Sequence, residues 1–137
     1  MGMESFNIMM LSENISINQN KEYWKLYGTT EINLDVIKDD LAKMCTVTSK
    51  NNEYVFKQCI DIKVYENNKL FQGFELRGCL SYLREGVKVC YDFYECWKEK
   101  IPLNIFVLNQ EVKVENFNAL YEVVCFMYSE KISESLL

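Results

Sequence analysis

Asp61, Glu75 and Asp92 are the residues of this sequence most able to do chemistry together. Alternation of apolar and polar residues puts them on one face of neighbouring expected strands, and adjacent carboxylates split their pKa values so that one can serve as acid and another as base. Lys57, Lys63, Arg77 and Lys88 share that face, and mixed charge is equally the mark of a solvated sheet surface with cross-strand ion pairs. The 137 residues contain no histidine, which removes Ser-His-Asp and Cys-His activation of a nucleophile and the commonest metal ligand. Six cysteines are present, but no C-x-x-C pair; the closest two, Cys90 and Cys96, are too widely spaced for a cysteine-only zinc site. No Gly-rich phosphate loop occurs, because Gly73 and Gly78 fall inside a strand pattern rather than before a helix. The expectation is a protein without catalytic residues, metal or cofactor.

The elements that position these side chains follow from periodicity. Phe6 to Leu11 is a short apolar stretch that suits an optional first strand. Asn20 reads as the cap of a brief helix carrying Tyr23, Trp24 and Tyr27, stopped by Gly28. Asn33 caps a second helix, with Asp35 at its positive end and Leu34, Ile37, Leu41, Met44 and Cys45 lining one face.

From Tyr54 the period shortens to two, and four strands are expected. Phe56, Ile60, Ile62 and Val64 mark the first; Phe74, Leu76, Leu80 and Tyr82 the second; Val87, Val89, Tyr91 and Phe93 the third; Phe106, Leu108, Val112 and Val114 the fourth. Turns fall at residues 66–69 and at Arg84-Glu85-Gly86, and Pro102 precedes the last strand. A second reading stays open. Leu83, Val87, Cys90, Tyr91, Tyr94 and Trp97 also fit a helical stripe, so Leu76 to Lys100 could be one helix, against which Gly78 and Gly86 weigh. Asn116 caps a last helix, whose stripe runs through Phe117, Leu120, Tyr121, Val124, Met127 and Tyr128. The expected class is α+β: a four-stranded antiparallel meander with two N-terminal helices and one C-terminal helix on one face.

The chain is rich enough in apolar residues, at 49%, for one core, and with one proline and five glycines it shows no linker. A single domain over residues 1–137 is expected, with Met1-Gly2 ahead of Met3 reading as a cloning scar. No apolar run approaches the roughly 20 residues that cross a bilayer, and no secretory leader is evident. The cysteines are therefore read as reduced thiols in a cytoplasmic protein. A net charge of −5 disfavours a phosphate backbone as partner and favours a basic protein.

On the polar face, Asp61, Tyr65, Glu75, Asp92 and Tyr94 mix with Cys59, Cys79, Cys90 and Cys96, a composition closer to an interface than to a solvated surface. A tight hairpin at Gly86 would set Cys79 opposite Cys90 and Arg77 opposite Asp92. Cover by the protein's own N-terminal segment explains that composition equally well. In size, acidity, lack of histidine and expected architecture the chain resembles bacterial toxin-immunity proteins of the contact-dependent inhibition type. The resemblance implies a cytosolic partner: a cognate toxin domain, often a basic nuclease, neutralised by occlusion. Asp61, Tyr65, Glu75, Asp92 and Tyr94, with Glu95, Glu99 and Glu111 nearby, are the candidate contacts. Two alternatives are an effector secretion chaperone and a small-ligand protein or cofactor-free enzyme with a pocket lined by Trp24, Tyr82, Tyr91 and Trp97.

Overall fold

The computed structural model describes residues 4–19 and 24–136, so Asn20 and Tyr23 of the expected first helix, and the expected cloning scar, Met1-Gly2 ahead of Met3, lie outside the described residues. The class is α+β, built on an antiparallel sheet of seven strands. In chain order the strands are β1 (Ser5–Ser12), β2 (Ser16–Gln19), β3 (Trp24–Tyr27), β4 (Thr46–Val47), β5 (Glu53–Phe56), β6 (Ile60–Asn67), β7 (Leu70–Cys79), β8 (Leu103–Val107) and β9 (Gln110–Val112). The helices are α1 (Leu34–Met44), α2 (Leu83–Trp97), α3 (Phe117–Met127) and α4 (Ser129–Leu136). The main sheet runs β4-β5-β6-β7-β1-β8-β9, and β2 pairs with β3 as a separate hairpin.

The strand expected as optional is thus an interior strand of the sheet, paired with β7 on one side and β8 on the other. Its run Phe6 to Leu11 lacks alternation because both faces are covered: Phe6, Ile8 and Met10 enter the main core, while Met9 and Leu11 join a smaller cluster with Ile15 and Leu26 from the hairpin. The expected first helix is corrected at its described end, since Trp24–Tyr27 is a strand that folds back across the sheet. Gly28 does stop that element. It has φ +106°, and an added Cβ there would collide with the Asn14 carbonyl oxygen.

The first expected strand is two strands, β5 and β6, joined by a tight turn in which Lys57 and Gln58 both have positive φ. Its phase holds nonetheless, because Phe56 and Ile60 are cross-strand partners and both are buried under the helices. The fourth is likewise a hairpin, β8 and β9, turning at Leu108 and Asn109. The second ends at Cys79, and Leu80–Tyr82 forms a single 3₁₀ turn leading into α2.

The third expected strand is a helix. Val87, Cys90, Tyr91, Phe93 and Trp97 of α2 face the core, so the helical stripe prevails over the alternating one within Leu83–Trp97. The glycines that weighed against it serve close packing instead. A Cβ on Gly78 of β7 would lie 2.5 Å from the Phe6 ring and one on Gly86 of α2 would lie 2.9 Å from it, so the two glycines form a socket for that ring between sheet and helix.

Helices α1 and α3 begin where expected. The Asn33 side chain accepts from the Asp35 N–H, and the Asn116 side chain accepts from the Ala119 N–H. Edge-on aromatic contacts, Phe56 with Phe93 and Phe74 with Phe93, join sheet to α2. No helix among the described residues is long and apolar enough to cross a membrane.

Candidate functional site

The two faces of the sheet have different fates. One packs against the helices along its inner strands and is exposed only at its edges, β4 and β9. On the other, the β2–β3 hairpin covers Met9, Leu11, Tyr65 and Phe106 and leaves β5, β6 and the adjoining part of β7 open. Half of that face is therefore covered by the N-terminal segment, and half is bare.

Register fixes what the bare half displays. Asp61 stands opposite Arg77, Lys63 stands opposite Glu75, and Glu53 flanks Lys63 from β5. These side chains and Lys50 line a groove of about 330 Å³, walled on one side by the loop at Thr48, Ser49 and Lys50. It continues past Lys63 into a second hollow of about 530 Å³ bounded by Lys25, Leu26, Tyr65 and Gln72. The whole forms a trough along β6.

The charges in the trough balance, with three cations and three carboxylates lining its first part. Yet the ion pairs among the described residues all lie elsewhere. Neighbouring strands bring Asp61 and Arg77 side by side without closing them into a contact. Two interactions organise the boundary with the hairpin: the Tyr65 hydroxyl donates to Glu75 at 3.0 Å, and the Lys63 ammonium lies 5.1 Å from the centre of the Tyr65 ring. Burial pushes the Tyr65 hydroxyl well above the ordinary tyrosine range, and the Glu75 carboxylate adds to the shift, so Tyr65 stays a donor.

Of the candidate contacts, Asp61, Tyr65 and Glu75 are brought together here. Glu111 lies on the β9 edge of the same face, opposite Phe106. Asp92, Tyr94, Glu95 and Glu99 are not on this face, because the segment that carries them is α2 and the turn after it, on the other side of the sheet. The pairing of Arg77 with Asp92 and of Cys79 with Cys90 is corrected likewise. Arg77 is flanked by Asp61 and Asn7, Cys79 pairs with Ser5, and Cys90 is buried in the core.

Asp92 has a structural task instead. It receives Lys57 and Lys88, each at 3.1 Å, and so ties the left-handed β5–β6 turn to α2. Partial desolvation raises its carboxyl, but the hydrogen bonds from those two ammonium groups outweigh this and hold it below the usual range. Glu95 pairs with Lys98 at 2.8 Å, and the Tyr94 ring tilts against Tyr91 at 5.9 Å.

Sequence reasoning missed Glu53, Lys50 and the hydroxyl-bearing loop before them. Their signal was the turn-rich stretch 48–52, which adjoins the strand that brings Glu53 beside Lys63. The aromatics expected to line a pocket are dispersed: Trp97 and Tyr91 are in the core and Tyr82 is exposed, while the Trp24 side chain lies outside the described residues. None of the six cysteines is in a disulfide among the described residues. No family model, curated protein or solved structure matches the chain.

Proposed function

We propose that this chain is a protein-binding immunity factor that neutralises a cognate, basic toxin domain by occluding it, and that it performs no catalysis itself. The observation that supports this reading is the bare half of the outer sheet face, where Asp61, Lys63 and Arg77 project into an open trough without ion-pair partners within 4 Å among the described residues. A rigid sheet floor holds these charges at fixed spacing, which favours recognition of a complementary surface at little ordering cost. The chain's net charge of −5 would speed encounter with a basic partner. Glu53, Asp61 and Glu75 are the side chains that would receive its lysines and arginines.

The test is affinity capture with the full chain from its native host lysate, in low and moderate salt, beside an E53K/D61K variant. A stoichiometric basic protein whose activity is blocked on binding, and whose capture the variant loses, is the expected result. Equal capture by both baits, or a captured protein that stays active, would remove the reading.

A further inference from the structure

The four charges at the centre of the trough form a checkerboard. Asp61 and Arg77 make one row across β6 and β7; Lys63 and Glu75 make the next row, two residues along each strand, with the signs exchanged. Such a pattern is self-complementary. A two-fold axis lying parallel to the sheet, across the strands and between the two rows, brings each row of one molecule over the other row of a second. Asp61 then faces Lys63 of the copy, Arg77 faces Glu75 of the copy, and symmetry repeats both contacts, giving four pairs of opposite sign.

The hairpin selects among the possible axes. It stands over the sheet from the level of Lys63 onward, where Met9, in register with Glu75, and Leu11 and Tyr65 further along pack against it. An axis along the strands would bring the hairpins of both molecules to the same end of the interface. The axis across the strands carries them to opposite ends and leaves the two bare halves to meet. From these relations we propose that the bare face is an isologous docking surface for a second copy of this chain. The proposal goes beyond the immunity reading and stands without it; a toxin using the same face would have to displace the second copy.

Sedimentation equilibrium of the wild-type chain, Asp61→Lys, Lys63→Asp and an equimolar mixture of the two variants tests this. Wild type is expected to dimerise in low salt and to dissociate as salt rises, because the charges of the separated molecules lie in an open trough and are screened before they meet. Each variant alone sets like charges against each other twice and is expected to raise the dimer dissociation constant by about tenfold or more. In the mixture, the D61K chain presents lysine at both positions and the K63D chain presents aspartate at both, so opposite charges meet again and a heterodimer is expected to return. Circular dichroism melts check that each variant is folded, and rescue in trans cannot arise from a local structural defect. A monomeric wild type in low salt would overturn the proposal and leave the face to another protein. So would a dimer indifferent to both substitutions, or a mixture that stays monomeric.

Discussion

The Tyr128 hydroxyl engages both backbone groups of Asn7, accepting from its N–H at 3.0 Å and donating to its carbonyl at 3.4 Å, across 121 residues of sequence. Pairing with β8 begins only at Ile8, so on that side the backbone of Asn7 has passed the end of its neighbour strand. Tyr128 supplies the bonds that a longer β8 would have made, and it pins the end of α3 to β1.

Removing that hydroxyl leaves a part-buried peptide N–H without its partner. Tyr128→Phe is expected to destabilise the fold by about 1–3 kcal/mol in urea unfolding. A loss below about 0.5 kcal/mol would mean that water replaces the hydroxyl at no cost.

Gly86 offers a reversal of the usual rule. In a helix interior Gly→Ala normally gains about 1 kcal/mol. Here the new Cβ would meet the buried Phe6 ring, which Gly78 confines from the other side. Overpacking costs about 1–3 kcal/mol, so Gly86→Ala is expected to lower stability, and shortening the ring with Phe6→Leu is expected to relieve part of that penalty. A stabilised G86A would show that the socket is slack.

The thiols are expected to separate by reactivity. Cys59 and Cys96 are exposed, whereas Cys90 is fully buried. Burial, with a smaller effect of Cys96, pushes Cys45 up to about 11, and burial drives Cys90 well above the ordinary thiol range. Iodoacetamide at neutral pH, followed by peptide mass spectrometry, is expected to label Cys59 and Cys96 first and Cys90 only after denaturation. Early labelling of Cys90 would contradict the packing of α2.

Alkaline pH is expected to destabilise the protein. Burial is the first cause raising Tyr54, Tyr65, Tyr91 and Tyr128, and Tyr121 is raised chiefly by its hydrogen bond to Cys125. A tyrosine whose folded pKa exceeds its unfolded value of about 10 contributes stability that is complete below that pH and is lost as pH rises through the folded value. Urea midpoints should therefore fall above about pH 10, together with delayed tyrosinate absorbance in the folded protein. Tyrosines titrating at their ordinary value with unchanged midpoints would refute it.

Much of the fold was legible because local signals were strong. Asn33 and Asn116 each precede a clear apolar stripe, and the alternation through Ile60, Ile62 and Val64 names a strand with one buried face. Illegible parts required knowledge of what lies across the core. Gly86 reads as a turn residue until Phe6, eighty positions earlier, is known to need its space. Residues 83–97 satisfy both periods, and only the tertiary partner decides between them. The trough suffered from the same ambiguity: the shared face of Asp61, Tyr65 and Glu75 was legible because β6 and β7 are local neighbours, whereas Asp92 and Tyr94 were assigned to that face through a hairpin that is a helix.

The interior position of β1, between β7 and β8, has a consequence for how the molecule is made. The first of the described strands must wait for β7 and then β8, the latter beginning only at Leu103. At ~5–20 residues per second the ribosome needs roughly 5–20 s to span that interval, and until its end at least one edge of Phe6 to Leu11 has no sheet neighbour. The nascent chain thus carries an apolar, strand-forming segment ahead of its own shelter.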